Sequence, residues 1–125
     1  MNNDSNLHVT MSDHDVRMLA ACLVEVCMGF RLDNFEEKIG EPNDYVVRIM
    51  DGLLDAVNGR HVPLCVPSER GGYSISLSQH DVGVLLRAVD ESCNGLSDPD
   101  FEIRTAGTKA NARAIQGILR SALAS

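Results

Sequence analysis

Apolar residues fall on alternate positions at Leu7, Val9 and Met11, and again at Tyr73, Ile75 and Leu77. Period-two spacing predicts a short half-buried strand in each place. After each run the period changes. Val16, Leu19, Ala20, Leu23 and Cys27 recur at i, i+3, i+4, i+7 and i+11, as do Val82, Leu85, Leu86, Val89 and Cys93, which predicts an amphipathic helix after each strand. Ser12 and Ser78 mark the helix starts, because a hydroxyl there accepts from the unpaired N–H groups of the first turn. Asp15 and Asp81, three positions on, complete a capping-box-like arrangement. Gly29 and Gly95 are expected to stop these helices in the left-handed conformation, with Phe30 and Leu96 folding back as in a Schellman ending.

A second helical period covers Val46, Val47, Ile49, Met50, Leu53, Leu54 and Val57, opened by Asn43 or Asp44 after Pro42 and ended by Gly59. Ala112, Ile115, Ile118, Leu119, Ala122 and Leu123 repeat it after Thr108. Between the helices of each half lies a polar segment with one aromatic, Asp33-Asn34-Phe35-Glu36-Glu37 and Asp100-Phe101-Glu102-Ile103-Arg104. Both are expected to be loops whose Phe ring plugs them into the core. Residues 59–67 contain Pro63 and Pro67, which restricts them to an edge strand or an extended crossing segment, and Ser68 to Gly72 reads as a turn.

All of these features keep one spacing. At an offset of 66 residues there are 13 identities among the 49 positions from Val9 to Val57, against roughly 3 from composition, which implies a duplicated unit. The expected architecture is α+β, a tandem duplicated strand-helix-loop-helix unit with four helices packed on a small antiparallel sheet. One domain over residues 1–125 is expected, with repeats at about 7–58 and 73–124 joined by the linker 59–72 and related by a pseudo-twofold axis.

A chain of 125 residues is long enough to form one core without metal or disulfide support. With three Phe, two Tyr and no Trp, that core must be mainly aliphatic. The start Met1-Asn2-Asn3-Asp4-Ser5 lacks a basic and apolar leader pattern, and no apolar run reaches the roughly 18 residues that span a bilayer. No membrane association and a cytoplasmic location are expected. Cys22, Cys27, Cys65 and Cys93 show no CxxC spacing and read as free, buried thiols of a reducing compartment.

Charge adds a partner class. The net charge is −7, and residues 1–66 carry 11 acids and 5 bases while residues 67–125 carry 7 acids and 6 bases. Such a surface repels phosphate, so nucleic-acid binding is disfavoured, no nucleic-acid partner is expected, and a basic protein is the better match. The acids concentrate at Asp33, Glu36, Glu37, Glu41 and Asp44, with only Lys38 against them, whereas the aligned segment of the second half gains Arg104, Lys109 and Arg113. These five acids are the candidate partner-binding residues.

Other candidates read as structure. His14 and His80 each precede an Asp in a first helical turn, where neighbouring side chains diverge and a capping role is sufficient. Cys27 and Cys93 fall at helix C-termini, where the dipole opposes a thiolate. In Phe35-Glu36-Glu37-Lys38 and Phe101-Glu102-Ile103-Arg104 a carboxylate two residues from a base suggests a local ion pair beside the aromatic anchor, on a segment that is equally well placed for recognition. No phosphate-binding loop, GxSxG, HExxH, EF-hand or dinucleotide fingerprint occurs, so no enzyme, catalytic residue, metal site or cofactor is expected.

The stretch Glu91-Ser92-Cys93-Asn94-Gly95-Leu96, followed by Asp100-Phe101-Glu102-Ile103-Arg104 and Gly107 before a terminal helix, resembles a module of small bacterial proteins without an assigned activity. The resemblance covers mainly residues 91–125, and the first half departs from it with Lys38 in place of the arginine. It implies a small cytosolic α+β module and supplies no catalytic residues. In type, a small acidic chain without catalytic motifs is also similar to immunity proteins, which implies a cognate toxin as partner. The chain is expected as a monomer or homodimer, and the alternatives are a self-associating structural or adaptor module and a regulator that binds a small ligand or metal between the two copies.

Overall fold

The computed structural model describes residues 6–124. Strand β1 (Leu7–Met11) runs through Ser12 into helix α1 (Asp13–Val24), which continues as a π-helical turn, Glu25–Gly29. Helix α2 (Phe35–Ile39), helix α3 (Asn43–Val57) and strand β2 (Cys65–Pro67) follow, then strand β3 (Tyr73–Leu77) and helices α4 (Gln79–Gly95), α5 (Asp98–Thr105) and α6 (Lys109–Ala124). The chain is therefore α+β with a three-stranded antiparallel sheet in the order β1-β3-β2. The start of β3 lies 66 positions after that of β1, and the same interval separates α4 from α1 and α6 from α3.

The sheet joins the two halves. β1 pairs with β3 so that Leu7 faces Leu77, Val9 faces Ile75 and Met11 faces Tyr73. Val9 and Ile75 are themselves 66 positions apart, so the ladder is symmetric about that pair. Val9, Met11, Ile75 and Leu77 are buried against the helices, while His8 and Thr10 lie exposed on the other face. A single hydrophobic cluster draws on both halves, with Leu19, Leu23, Leu53, Leu85, Leu119 and Phe101 fully buried. Each such side chain contributes about 1.5–3 kcal/mol of transfer free energy.

Four of the helix starts are capped from the sequence outward. Ser12 Oγ accepts from Asp15 N at 3.1 Å and Ser78 Oγ from Asp81 N at 3.0 Å, as expected. Ser97 does the same for α5, accepting from Asp100 N at 3.2 Å. A reciprocal cap forms at α6, where Thr108 Oγ1 accepts from Asn111 N and Asn111 Oδ1 accepts from Thr108 N.

Several expectations are corrected. The segments around Phe35 and Phe101 are short helices rather than loops, so the described residues form six α-helices and not four. In α5 a serine cap and Pro99 near the start fix the first turn, and Phe101 and Thr105, one turn apart, are both buried. Phe101 plugs the core as expected, whereas Phe35 is only half-buried. Gly29 and Gly95 are not left-handed; the chain simply extends after them at Phe30 and Leu96. They are glycine because of close approach, since a Cβ on Gly95 would lie 2.4 Å from the Phe30 ring and one on Gly29 would lie 2.1 Å from the Glu25 carboxylate. The Schellman ending occurs at Gly59 instead (φ 88°), with Arg60 N donating to Asp55 O and Gly59 N to Ala56 O.

The linker supplies the edge strand β2, and its seat explains why the halves differ. Leu64, just before β2, packs against Gly52 in the middle of α3, where a Cβ would lie 2.7 Å from Leu64 Cδ2. The residue 66 positions after Gly52 is Ile118, half-buried on α6, and α6 packs directly against β1. A buried polar group ties α6 to α4: Gln116 Nε2 donates to Leu86 O and to Asp90 Oδ1, and Arg113 donates to both Asp90 and Gln116 Oε1. Burial at Asp90 opposes ionisation, yet the hydrogen bonds from Gln116 and Arg113 and the charges of Arg113 and Arg120 outweigh it and hold the carboxyl below the usual range.

Two glycine-related substitutions test these assignments by urea denaturation. Ala106 ends α5 in the left-handed region (φ 60°), where Gly40 stands at the matching end of α2 (φ 101°). Ala106→Gly is expected to stabilise the protein by up to about 1 kcal/mol. Gly95→Ala, which forces the Phe30 ring to move, is expected to destabilise it by about 1–3 kcal/mol.

Candidate functional site

Asp33, Glu36, Glu37, Glu41 and Asp44 lie along the turn before α2, α2 itself, the link from α2 to α3 and the start of α3. Asn34 enters α2 in the left-handed conformation (φ 56°) and provides no side-chain cap. The carboxylates of Glu36 and Glu37 in the first turn offset the positive end of the helix in its place. At the far end Gly40 N donates to Glu36 O at 2.8 Å. Arg87 of α4 donates Nε to Ile39 O at 2.8 Å and lies close against Gly40. Together with the buried Ile39 side chain, this clamps α2 onto α4. The position equivalent to Arg87 in α1 is Ala21, so the clamp belongs to this half alone.

The structure divides the five acids. Asp33 is paired with Arg31 at 3.3 Å and Asp44 with Arg48 at 3.9 Å, both exposed pairs worth under about 1 kcal/mol. Glu41 Oε2 meets His80 Nε2 at 2.5 Å, which turns it away from the role of a free surface charge. Glu36 and Glu37 are exposed and form no ion pair among the described residues. With Asn34, half-buried Phe35 and Gly40 they line an open recess of ≈ 610 Å³. The local ion pair expected in the second half is replaced by a long-range one: Arg104 Nη1 donates to Glu25 Oε1 at 3.0 Å and to Gly29 O at 3.2 Å. Glu25 is almost buried, so its carboxylate is held by that guanidinium.

A second polar group crosses the halves and escaped the sequence reading. Tyr45 donates its hydroxyl to Asp81 Oδ1 at 2.5 Å, and its ring stands edge-on to His80, with centroids 6.4 Å apart. Glu41 and Tyr45 thus bracket the His80-Asp81 pair at the start of α4. The recurring His-Asp motif was visible in the chain, but its partners come from 36 and 39 residues away. His14 has no such setting: the residues equivalent to Glu41 and Tyr45 are Gly107 and Asn111, and His14 stays exposed, 3.7 Å from Asp15. The hydrogen bond to Asp81, with burial and the charges of Asp81 and Glu41, pushes the Tyr45 phenol up to about 12.

Cys22, Cys65 and Cys93 are buried, Cys27 is half-buried, and all four are free. Burial pushes the thiols of Cys22, Cys27 and Cys65 up to about 11 and also raises that of Cys93, which opposes nucleophilic use. Among the described residues no three His, Cys, Asp or Glu side chains converge as metal ligands would, and no helix is long and apolar enough to cross a membrane. Compared with protein-family models, curated proteins and solved structures, the chain matches none.

A spectrophotometric titration checks the Tyr45 assignment. Its folded pKa is raised, so the bond to Asp81 contributes stability below the unfolded value of about 10 and loses it as pH rises towards 12. The phenolate signal of Tyr45 is expected only near pH 12 and should vanish in Tyr45→Phe. A signal from Tyr45 at an ordinary pH would contradict the bond.

Proposed function

We propose that this chain is a binding protein rather than an enzyme, an inhibitor of immunity-protein type that neutralises a cognate bacterial toxin in the cytoplasm. The observation that supports this reading is the α2 face. Glu36 and Glu37 are exposed and without ion-pair partners among the described residues, on a helix held rigidly by Arg87 and Ile39, beside a half-buried aromatic and an open recess. Clustered carboxylates on a fixed scaffold steer a basic surface into contact, and the half-buried Phe35 offers apolar area at the same place. Asp33, Glu41 and Asp44 belong to the rim, since each already has a cationic or imidazole neighbour. The partner class is a basic protein, such as a nuclease or nucleotide-using toxin that an acidic surface would occlude.

The 66-residue interval between matching elements supports a duplicated unit within one domain. In this reading one copy kept the acidic face for a partner while the other diverged. Where α2 exposes Glu37, α5 exposes Ile103, and Lys38 is replaced by Arg104, which is committed to Glu25. Phe35 and Glu36 recur as Phe101 and Glu102, so of the two acids without ion-pair partners Glu37 is the one at which the copies differ.

Capture of partners from the native cell at low and high salt tests the proposal. Wild-type protein is expected to retain a basic protein at low salt and release it as salt rises. The Glu36→Lys/Glu37→Lys variant should bind at least about tenfold more weakly, while keeping the thermal stability of the wild type. Unchanged affinity together with unchanged salt dependence would remove the α2 face from the interface.

A further inference from the structure

β3 is paired on both sides, whereas β1 is paired on one. Ser76 donates its N–H to Leu64 O, so Ser74 and Ser76 direct their backbone groups to β2, and Tyr73, Ile75 and Leu77 direct theirs to β1. On β1 the partners of those three are Met11, Val9 and Leu7. His8 and Thr10 therefore turn their N–H and C=O groups outward, away from β3. These are the positions 66 residues before Ser74 and Ser76, which hold β2. Among the described residues nothing pairs with this outer edge.

The two edges of the sheet are protected unequally. β2 ends in Pro67 and follows Pro63, both of which discourage further pairing. β1 reads Leu-His-Val-Thr-Met, with no proline, no Lys, Arg, Asp or Glu and an uninterrupted register. An edge of that kind is a template for another strand.

We propose that a second copy of this chain occupies it, β1 pairing antiparallel with the partner's β1 about Val9 to form one continuous six-stranded sheet. In that register His8 and Thr10 exchange backbone hydrogen bonds with the partner's Thr10 and His8, so all four outward groups are satisfied. The side chains match face for face. Val9 meets the partner's Val9 and Leu7 meets the partner's Met11 on the apolar face, while His8 lies beside the partner's Thr10 on the polar one. The net charge of −7 disfavours self-association generally, but no like charges oppose each other along this strand.

Five residues of edge fall short of the roughly 1,000 Å² that a stable association buries, so the neighbouring helix must contribute. α6 packs directly under β1. Its buried positions are Ala112, Ile115, Gln116 and Leu119, and the opposite face presents Ala110, Ala114, Gly117 and Ser121, all exposed. Gly117 gives up helix stability for nothing within one copy, because a Cβ there would meet no atom within 4 Å. Close passage of the partner's α6 beneath the joined sheet accounts for it. This inference is independent of the toxin-binding reading, which uses α2.

Light scattering on the full chain reads the outcome. The wild type is expected at twice 13.6 kDa, and Thr10→Pro at 13.6 kDa with an unchanged far-ultraviolet spectrum, since the Thr10 N–H is not used inside one copy. Gly117→Leu, which has open space in the single copy, is likewise expected at 13.6 kDa. Should Thr10→Pro not fold, hydrogen exchange of the wild type decides: the His8 and Thr10 amides should slow at least about tenfold as concentration rises, and that of Val9 should not. A wild type that stays at 13.6 kDa at every concentration overturns the proposal, as does a folded Thr10→Pro that remains dimeric or exchange at His8 and Thr10 that ignores concentration.

Discussion

The pairing of β1 with β3 is the interaction on which the other contacts rest. Each strand leads through a single serine cap into the first helix of its half, so fixing Val9 opposite Ile75 also fixes where α1 and α4 begin. Those two helices then pack against each other, and α3 and α6 close on them from either side. Two five-residue strands have little stability alone. They gain it from the apolar face formed by Val9, Met11, Ile75 and Leu77, which the helices cover.

Symmetry at the ladder gives way to asymmetry further out. Gly52 admits Leu64, which leads into the edge strand β2, whereas the equivalent position on α6 is Ile118 and α6 packs against β1. The short helices are fixed by different cross-links: Arg87 holds α2 through Ile39 O, while Arg104 holds α5 through Glu25 and the end of the π-helical turn. Tyr45 and Glu41 tie the start of α3 to that of α4, with no equivalent around His14 among the described residues. Among the described residues the differences leave Glu37 exposed on α2 where α5 exposes Ile103, and β1 unpaired along its outer edge.

Much of the local structure was legible in the chain. The alternation at Leu7, Val9 and Met11, the i, i+3, i+4 pattern of the long helices, and the caps at Ser12, Ser78 and Thr108 depend on neighbours within one turn. The short helices were hidden because five to eight residues with one or two buried positions carry no readable period. Gly29 and Gly95 were misread for a related reason. A glycine after an apolar helix suggests a left-handed stop, but here it makes room for Glu25 and for a ring from the other half.

The candidate site was half legible. Sequence alone located the acids from Asp33 to Asp44, the strands, the long helices and the 66-residue interval, because composition and periodicity are properties of neighbouring residues. Only the tertiary structure decided that Glu41 belongs to His80, that Arg104 reaches Glu25 across 79 residues, and that Glu36 and Glu37 have no cationic partner among the described residues. It also decided which strand edge is left unpaired by the described residues. Hydrogen bonds and ion pairs act only over a few ångströms, so their partners are set by how the helices pack, which no local pattern encodes.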